Sequence, residues 1–342
     1  LGRSPGIGGT VTDVADTGGG RTSPARRWAV VGASGFVGGG IVRELRARGH
    51  DVLELAAPRL VFTADATAPD AVAALEDSPG LAAFAARLSD VDVVVNAAGI
   101  ADAGAASSPE LSGANGLLPL WVASAADSAG VDRMIHISSA SVQGRAAVID
   151  ERPVFAPFSP YSLSKVRGEQ LLLGAHLRHT EIVVVRATSV QGPDREATRR
   201  LQRVARSWLA SVARPGDRPT VVSSIDALAQ FVADVGSQPA ASVPPIVLQP
   251  WEGLTTRDVL LSAGGREPRM IPVIVCRTLL GAGYLIGRAS PRIRGTVRRV
   301  ELMWMGQAQD AAWAASRSLT VTPRVTAILR GDRHDRTESP RA

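Results

Sequence analysis

Apolar residues begin to recur with a readable period at Trp28. Residues 28–31 are a continuous apolar run, the mark of a short buried strand. A glycine-rich loop separates them from residues 37–48, whose apolar positions fall on one face of a helix. Gly49 and His50 end that helix, residues 51–55 supply a second strand, and Pro58 breaks the pattern before a third expected strand at 60–63. Residues 71–88 have helical tendency, interrupted at Pro79 and Gly80, and lead to 91–96, a β-branched run apolar on both faces. Such a run predicts a buried parallel strand. The alternation continues with a helix at 117–129, a strand at 133–138, a helix at 162–176 and a strand at 181–186. Repeated βα units of this kind predict an α/β fold with a doubly wound parallel sheet.

Beyond Gly192 and Pro193 the rhythm changes. A helix is expected at 196–210, a strand at 220–223, a helix at 226–235 and a strand at 245–248. Helices at 256–264, 271–287 and 300–318 follow. The expected organisation is a disordered segment at 1–27, a dinucleotide-binding Rossmann domain at 28–191, and a substrate-binding region at 192–330. That region interleaves with the last sheet elements at 220–248, and a disordered tail follows at 331–342. The apolar stretch 271–287 contains Pro272 and Arg277 and falls short of the ~20 residues a spanning helix needs. A core or domain-interface helix is expected there, and no membrane contact.

Composition adds exclusions. The 342 residues carry a formal charge of +6, but the arginines are scattered and aromatic residues make up only 4%, which argues against nucleic acid as a partner. The single cysteine, Cys276, cannot close an intrachain disulfide, and no Cys/His cluster has metal-ligand spacing, so no metal and a reducing, cytoplasmic location are expected. Of 38 Lys and Arg residues only Lys165 is a lysine, and it stands four residues after Tyr161, one of two tyrosines.

Two motifs carry chemistry. In the loop after the first strand, Gly32, Gly35 and Gly38 permit a tight turn and close helix packing, and with Ser34, Phe36 and Val37 they open a helix whose positive end suits a pyrophosphate. Cofactor choice rests on the end of the second strand, where a carboxylate would bind the ribose hydroxyls of NAD. That place reads Ala56-Ala57-Pro58-Arg59, so the cofactor is NADP or NAD with NADP favoured, Arg59 being the candidate partner of the 2′-phosphate. The second motif is Tyr161 with Lys165, which share one helix face. Moving a hydride to or from a carbinol carbon requires a proton to move on its oxygen, and a phenol is a poor base at neutral pH unless a nearby ammonium stabilises its phenolate. A small ammonium can also hydrogen-bond a cofactor ribose where a planar guanidinium fits badly.

Taken in order, the GASGFVG loop, Asp65, Val95-Asn96-Ala97-Ala98-Gly99, Asn115, His136-Ile137-Ser138-Ser139 and Pro160-Tyr161-Ser162-Leu163-Ser164-Lys165 resemble the extended short-chain dehydrogenase/reductase family, in its NAD-dependent epimerase/dehydratase group, over residues 28–235. The resemblance implies that Asp65 meets the adenine and that the backbone of Ala97, Ala98 and Gly99 lines the cofactor. It also implies that Ser189 and Val190 border the nicotinamide and that Tyr161 and Lys165 touch the cofactor while serving catalysis. Asn115 has two open readings, a cofactor contact or a local helix-capping or turn role. Alignment with the family pattern selects Ser139 as the hydroxyl beside Tyr161.

The same resemblance narrows the reaction. Ala140-Ser141 stands where dehydratases of the family carry an Asp-Glu pair, so sugar dehydration is not expected. Epimerases acting at C3 and C5 use a cysteine and a second lysine, and this chain has no second lysine. What remains is hydride transfer at one keto or hydroxyl carbon, as net reduction or as sugar-nucleotide 4-epimerisation. Ser139-Ala140-Ser141-Val142 is similar to 4-epimerases, whereas Gln143 replaces their tyrosine and the missing ribose carboxylate favours exchangeable NADPH. The expected partner is a small molecule, by resemblance a nucleotide sugar, contacted by Ser139, Ser141, Gln143, Arg195 and Arg199. A homodimer through the helices after the fourth strand and around the tyrosine is a further implication. Two other classes stand beside these: a non-catalytic NAD(P)-binding sensor or scaffold, whose examples typically lack the tyrosine and lysine, and a membrane-associated enzyme of lipid-like alcohols, resting on 271–287.

Overall fold

The apolar run at the start of the pattern folds as β1 (Arg27–Val31), and the rest of the sheet is laid down on either side of it. The computed structural model describes residues 26–63, 67–76, 78, 80–102, 106–193 and 195–331. In chain order β1 is followed by α1 (Phe36–Ala47), β2 (Asp51–Leu55), α2 (Ala68–Glu76), α3 (Leu81–Ala86), β3 (Val93–Asn96), α4 (Pro109–Ser112), α5 (Leu118–Ser128) and β4 (Arg133–Ser139). Then come β5 (Val148–Ile149), α6 (Pro160–Leu173), β6 (Glu181–Ala187), β7 (Ser189–Gln191), α7 (Glu196–Arg206), β8 (Ser211–Ala213), β9 (Val222–Ser224), α8 (Ile225–Ser237) and β10 (Ile246–Leu248). The last part holds α9 (Thr256–Gly264), β11 (Arg269–Ile271), α10 (Val273–Ile286), α11 (Pro291–Met305), β12 (Ala308–Gln309), α12 (Ala312–Ser316) and α13 (Val325–Arg330).

Six strands form one parallel sheet in the order β10-β6-β4-β3-β1-β2. Strand order reverses at β1, so the connections leaving β1 and β3 pass to opposite faces of the sheet and leave the crevice where doubly wound sheets bind ligands. Both faces are covered, as the unbroken apolar strands require. Trp28, Ile41, Leu45, Leu228 and Phe231 pack α1 and α8 on one face, while Phe84, Leu118, Trp121, Leu171 and Leu172 pack α3, α5 and α6 on the other. A smaller core of Val212, Val222, Val259, Leu260, Val325 and Leu329 joins α9 and α13 to the short parallel pairs β8–β11 and β7–β9.

Three expected elements differ. No strand forms at 60–63: Leu60 and Phe62 follow Pro58 as extended chain, and the amide of Phe62 donates to the Pro109 carbonyl at 3.0 Å instead of to a sheet edge. Gly113 lies so close to this segment that a Cβ would come 1.9 Å from the Leu60 oxygen, so the apolar side chains serve a loop–helix contact. The helix expected at 300–318 starts at Pro291, a residue suited to a first helical turn, and stops at Gly306, whose φ of +64° ends it. The helix expected to run to residue 210 ends at Arg206. The segments 1–25 and 332–342 lie outside the described residues, as does Asp65.

The apolar stretch 271–287 is helical, as α10, but it is not a core helix. Only Cys276 and Leu280 on it are buried, while Ile274, Leu279, Leu285 and Ile286 are exposed. Among the described residues no helix is long and apolar enough to cross a membrane.

Phe231 is fully buried and stacks edge-on to Trp313, with ring centroids 6.2 Å apart, tying α8 to α12. Phe231→Ala is expected to destabilise the protein by about 3–5 kcal/mol, measured by urea unfolding.

Candidate functional site

The crevice beside β1 is built by close backbone approach. Gly32, with φ +82°, lets the chain turn directly after β1, and a Cβ there would come 2.8 Å from the backbone of Ala98. One at Gly38 would come 2.2 Å from the Gly32 oxygen, so loop, α1 and the end of β3 fit only without these side chains. Gly35 is the N-cap of α1, with no side chain capping it and no acidic residue in the first turn. The first amides of α1 are thus not engaged by a cap, and Ser34 and Gly35 are exposed beside them. Phe36 and Val37 are half-buried in the first turn. A cradle with these properties fits a dinucleotide diphosphate.

Beyond β3, the Ala97 amide donates to Val31 at 3.0 Å and the Ala98 amide to the Asn96 side chain at 3.1 Å. Gly99 continues this floor at φ +154°, where a Cβ would come 2.6 Å from Asn115 Oδ1 and 3.4 Å from Lys165 Nζ. Asn115 sits in a π-helical turn, Gly113–Leu117, and is fully buried. Its Oδ1 accepts from the Ile100 amide, and its Nδ2 donates to the Ile100 carbonyl and to Ser164 Oγ, each at 3.0 Å. It is therefore neither a local cap nor a turn former; it straps the end of β3 to α6.

Across the crevice, α6 opens with a capping box between Ser159 and Ser162 and with Pro160 in its first turn. That fixes the helix start and places Tyr161 one turn before Lys165. Lys165 is buried, and its ammonium donates to the Ile137 carbonyl of β4 at 3.0 Å. Burial pulls its pKa down to about 8, against an opposing pull from Glu169. The Tyr161 phenol is pushed above its ordinary value by burial, with the Ser139 hydroxyl and the Arg195 charge acting the other way. Ser139 ends β4, accepts from the Ser141 amide at 3.2 Å and pairs with the Ser141 hydroxyl at 2.9 Å. Ser139, Ser141, Tyr161 and Lys165 thus stand together at the carboxyl end of the sheet.

Sequence reasoning missed the layer behind them. Glu169, one turn beyond Lys165, forms a fully buried ion pair with Arg186 of β6 at 2.8 Å, and the Ser138 hydroxyl donates to the same carboxylate. Arg186 also donates to the carbonyls of Asp150, at 3.2 Å, and Arg152, at 2.7 Å. Removing either charge would leave the other buried and unpaired, a cost of about 3–5 kcal/mol. The signal was available: Glu169 repeats the four-residue step from Tyr161 to Lys165, and Arg186 interrupts an apolar strand.

The other expected residues divide. Arg195 lies inward: its guanidinium stands over the Phe36 ring at 5.1 Å from the centroid, donates to the Val190 carbonyl and is close enough to Tyr161 to act on its phenol. Burial lowers its own pKa. Val190 is buried and Ser189 exposed, the Ser189 hydroxyl accepting from Gln191 at 3.0 Å. Arg59 is exposed beyond β2. Two expectations need correction. Gln143 does not face a substrate space: it is buried, its amide nitrogen donating to Asp150 at 2.8 Å and its oxygen accepting from the Asp150 amide at 2.8 Å. Arg199 does not join the site either; with Arg200 and Arg203 it surrounds Glu196, at 2.8–3.3 Å, on the exposed side of α7.

The structure thus sets a glycine cradle at the reversal point of a parallel sheet, opposite a tyrosine and lysine one helical turn apart. Residues 28–233 match the NAD dependent epimerase/dehydratase family, and the chain belongs to it. A 4-hydroxy-2-methyl-3-oxo-4-farnesyl-3,4-dihydroquinoline-1-oxide ketoreductase of Stigmatella aurantiaca is 32% identical over 179 residues, covering 49% of this chain and 51% of that protein. The chain thus spans about half the length of this curated relative. Among solved structures, UDP-glucuronic acid 4-epimerase of Bacillus cereus with NAD is similar over 89% of this chain and 96% of its own, at 18% identity and TM-score 0.60. The dTDP-4-dehydrorhamnose reductase of Bacillus anthracis str. Ames with NADP is similar over 90% and 96%, at 14% identity and TM-score 0.58. At these identities the two structures show a shared fold.

Lys165 sets a pH dependence of definite sign. Its folded pKa of about 8 lies below the ~10.4 of an unfolded chain, so below pH ~8 both states are protonated and the folded state bears the full cost of a buried ammonium. Between those values the unfolded state binds more protons, so stability rises with pH. Unfolding midpoints of the cofactor-free protein should show this rise relative to Lys165→Met between pH ~8 and ~10. A constant difference between the two proteins across that window would contradict the burial of this charge.

Proposed function

We propose that this chain reduces a ketone to a secondary alcohol with NADPH, reversibly. The observation that carries the reading is the meeting of the Tyr161 phenol with the Ser139 hydroxyl at the end of β4, one helical turn from Lys165, where a proton donor to a carbonyl oxygen is needed. When bound, the dihydronicotinamide supplies the hydride. Tyr161 gives its proton to the substrate oxygen, Ser139 holds that oxygen by a hydrogen bond, and Lys165 stabilises the phenolate left behind. Ser141, paired with Ser139, keeps the serine hydroxyl oriented.

The glycine cradle, Ala97 to Gly99 and the region of Ser189 and Val190 are the surfaces assigned to the cofactor. NADP is preferred because β2 ends without a carboxylate and Arg59 stands exposed just beyond it. A ketone without a diphosphate is preferred to a nucleotide sugar because Arg199 and its neighbours on α7 are engaged by Glu196, and Arg195 by Val190 and Phe36. The ketoreductase relationship supports the same choice.

Tyr161→Phe should lower kcat for NADPH oxidation by a ketone about 10²–10⁴-fold while NADPH binding, followed by its fluorescence, is retained. Conversion of a nucleotide sugar to its epimer without net NADPH consumption would replace this reading with that of a 4-epimerase. Arg59→Glu should weaken NADPH binding about tenfold and leave NADH unaffected; equal losses for both would remove Arg59 from the cofactor site.

A further inference from the structure

We propose that the hairpin of α10 and α11 is a docking surface for anionic lipid, holding the protein at a membrane surface without crossing it. The inference stands on the hairpin alone and not on the reaction proposed above.

Between Glu267 and Glu301 the chain carries seven arginines and no Asp or Glu. The two bounding acids are already paired: Glu267 with Arg257 at 2.6 Å, and Glu301 with Arg145 at 2.6 Å and Arg298 at 2.7 Å. Nothing on the hairpin itself therefore neutralises Arg277, Arg288, Arg294 and Arg299, all of them exposed.

The apolar side is equally one-sided. α10 buries a narrow stripe of Cys276 and Leu280, with Gly283 beside it resting on Val297 of α11. Its remaining apolar residues face out: Ile274 is 70% exposed, Leu285 61%, Ile286 63% and Leu279 53%. Val275, Leu279, Ala282 and Ile286 form one helical row, with Ile274 and Leu285 beside it, so the exposed apolar residues share one side of the helix. A helix of this length with an apolar face and an arginine fringe lies in the plane of a lipid interface, its side chains among the acyl chains and its guanidinium groups among phosphates. A second copy of the chain is a poorer occupant, because a two-fold contact through this face would bring two arginine fringes together.

The hairpin is also fastened to the site. Arg298 donates to the Gly144 carbonyl at 2.8 Å, the Arg145 guanidinium lies 4.3 Å from the centre of the Tyr284 ring, and the Tyr284 hydroxyl donates to Glu301 at 2.5 Å. Gly144 ends the turn that begins at Ser139. Docking would hold that turn at the interface.

The test is co-sedimentation of the full chain with vesicles of phosphatidylcholine alone or mixed with phosphatidylglycerol. Binding is expected to the mixed vesicles and to fall as salt is raised. The double variant Ile274→Glu with Leu285→Glu, and separately Arg277→Glu with Arg294→Glu, should each reduce the bound fraction constant by about tenfold or more. Both pairs are exposed, so thermal midpoints should match the parent. The proposal is overturned if the parent ignores mixed vesicles at low salt, or if neither pair changes its binding. It is also overturned if sizing without lipid shows a dimer that Ile274→Glu with Leu285→Glu dissociates, which would assign the face to a second copy.

Discussion

The carboxylate of Glu169, sealed with Arg186 beneath the Tyr161–Lys165 face, ties the helix of that face to two strands of the central sheet. Through it α6 is bound to β6, and through Ser138 to β4, while Arg186 extends the same network to the backbone at 150 and 152. Such a pair adds little net stability over an apolar filling of the same volume, but it tolerates few alternative arrangements. Its value here lies in register. A slip of α6 along the sheet would unpair a charge in a place water does not reach. The same carboxylate also partly offsets the desolvation of the Lys165 ammonium.

Asn115 does for the glycine-loop side of the crevice what Glu169 does for the opposite one. By gripping both backbone groups of Ile100 and the Ser164 hydroxyl, it sets the distance between the glycine floor and the helix that carries Tyr161. Arg195 completes the enclosure from the loop after β7, resting on Phe36 of the glycine turn while acting on the phenol. The phenol therefore feels the phosphate-cradle side of the crevice through Arg195 and the strand side through Ser139. Lys165, by contrast, is turned toward Ile137.

Most of the sheet was legible because its strands are buried on both faces and read as unbroken apolar runs, so β1, β3, β4 and β6 declare themselves without their neighbours. The segment at 60–63 misled for the same reason: an apolar stretch signals burial, and only the tertiary contact with Gly113 decides that a loop, not a strand, provides it. At the crevice, residues fixed by local spacing come together as the spacing implies, as with the glycine turn and the step from Tyr161 to Lys165. Residues defined by long-range partners were not. Gln143 carries an amide that suits a ligand as well as Asp150, and Arg199 sits on a helix whose own acid, Glu196, engages it. Glu169 and Arg186 each leave a mark on the local pattern, but their partnership spans seventeen positions and only the folded chain joins them.

The family resemblance ends near the close of α8, yet the chain beyond it is woven into what precedes it. β10 completes the central sheet, β12 pairs with β5, and Arg298 with Gln307 grips the Gly144 carbonyl that ends the turn from Ser139. A region held in this way cannot be exchanged as a cassette. Any change written into the C-terminal third must be compatible, strand by strand, with the sheet and the turn it is fastened to, so the two can diversify only in step.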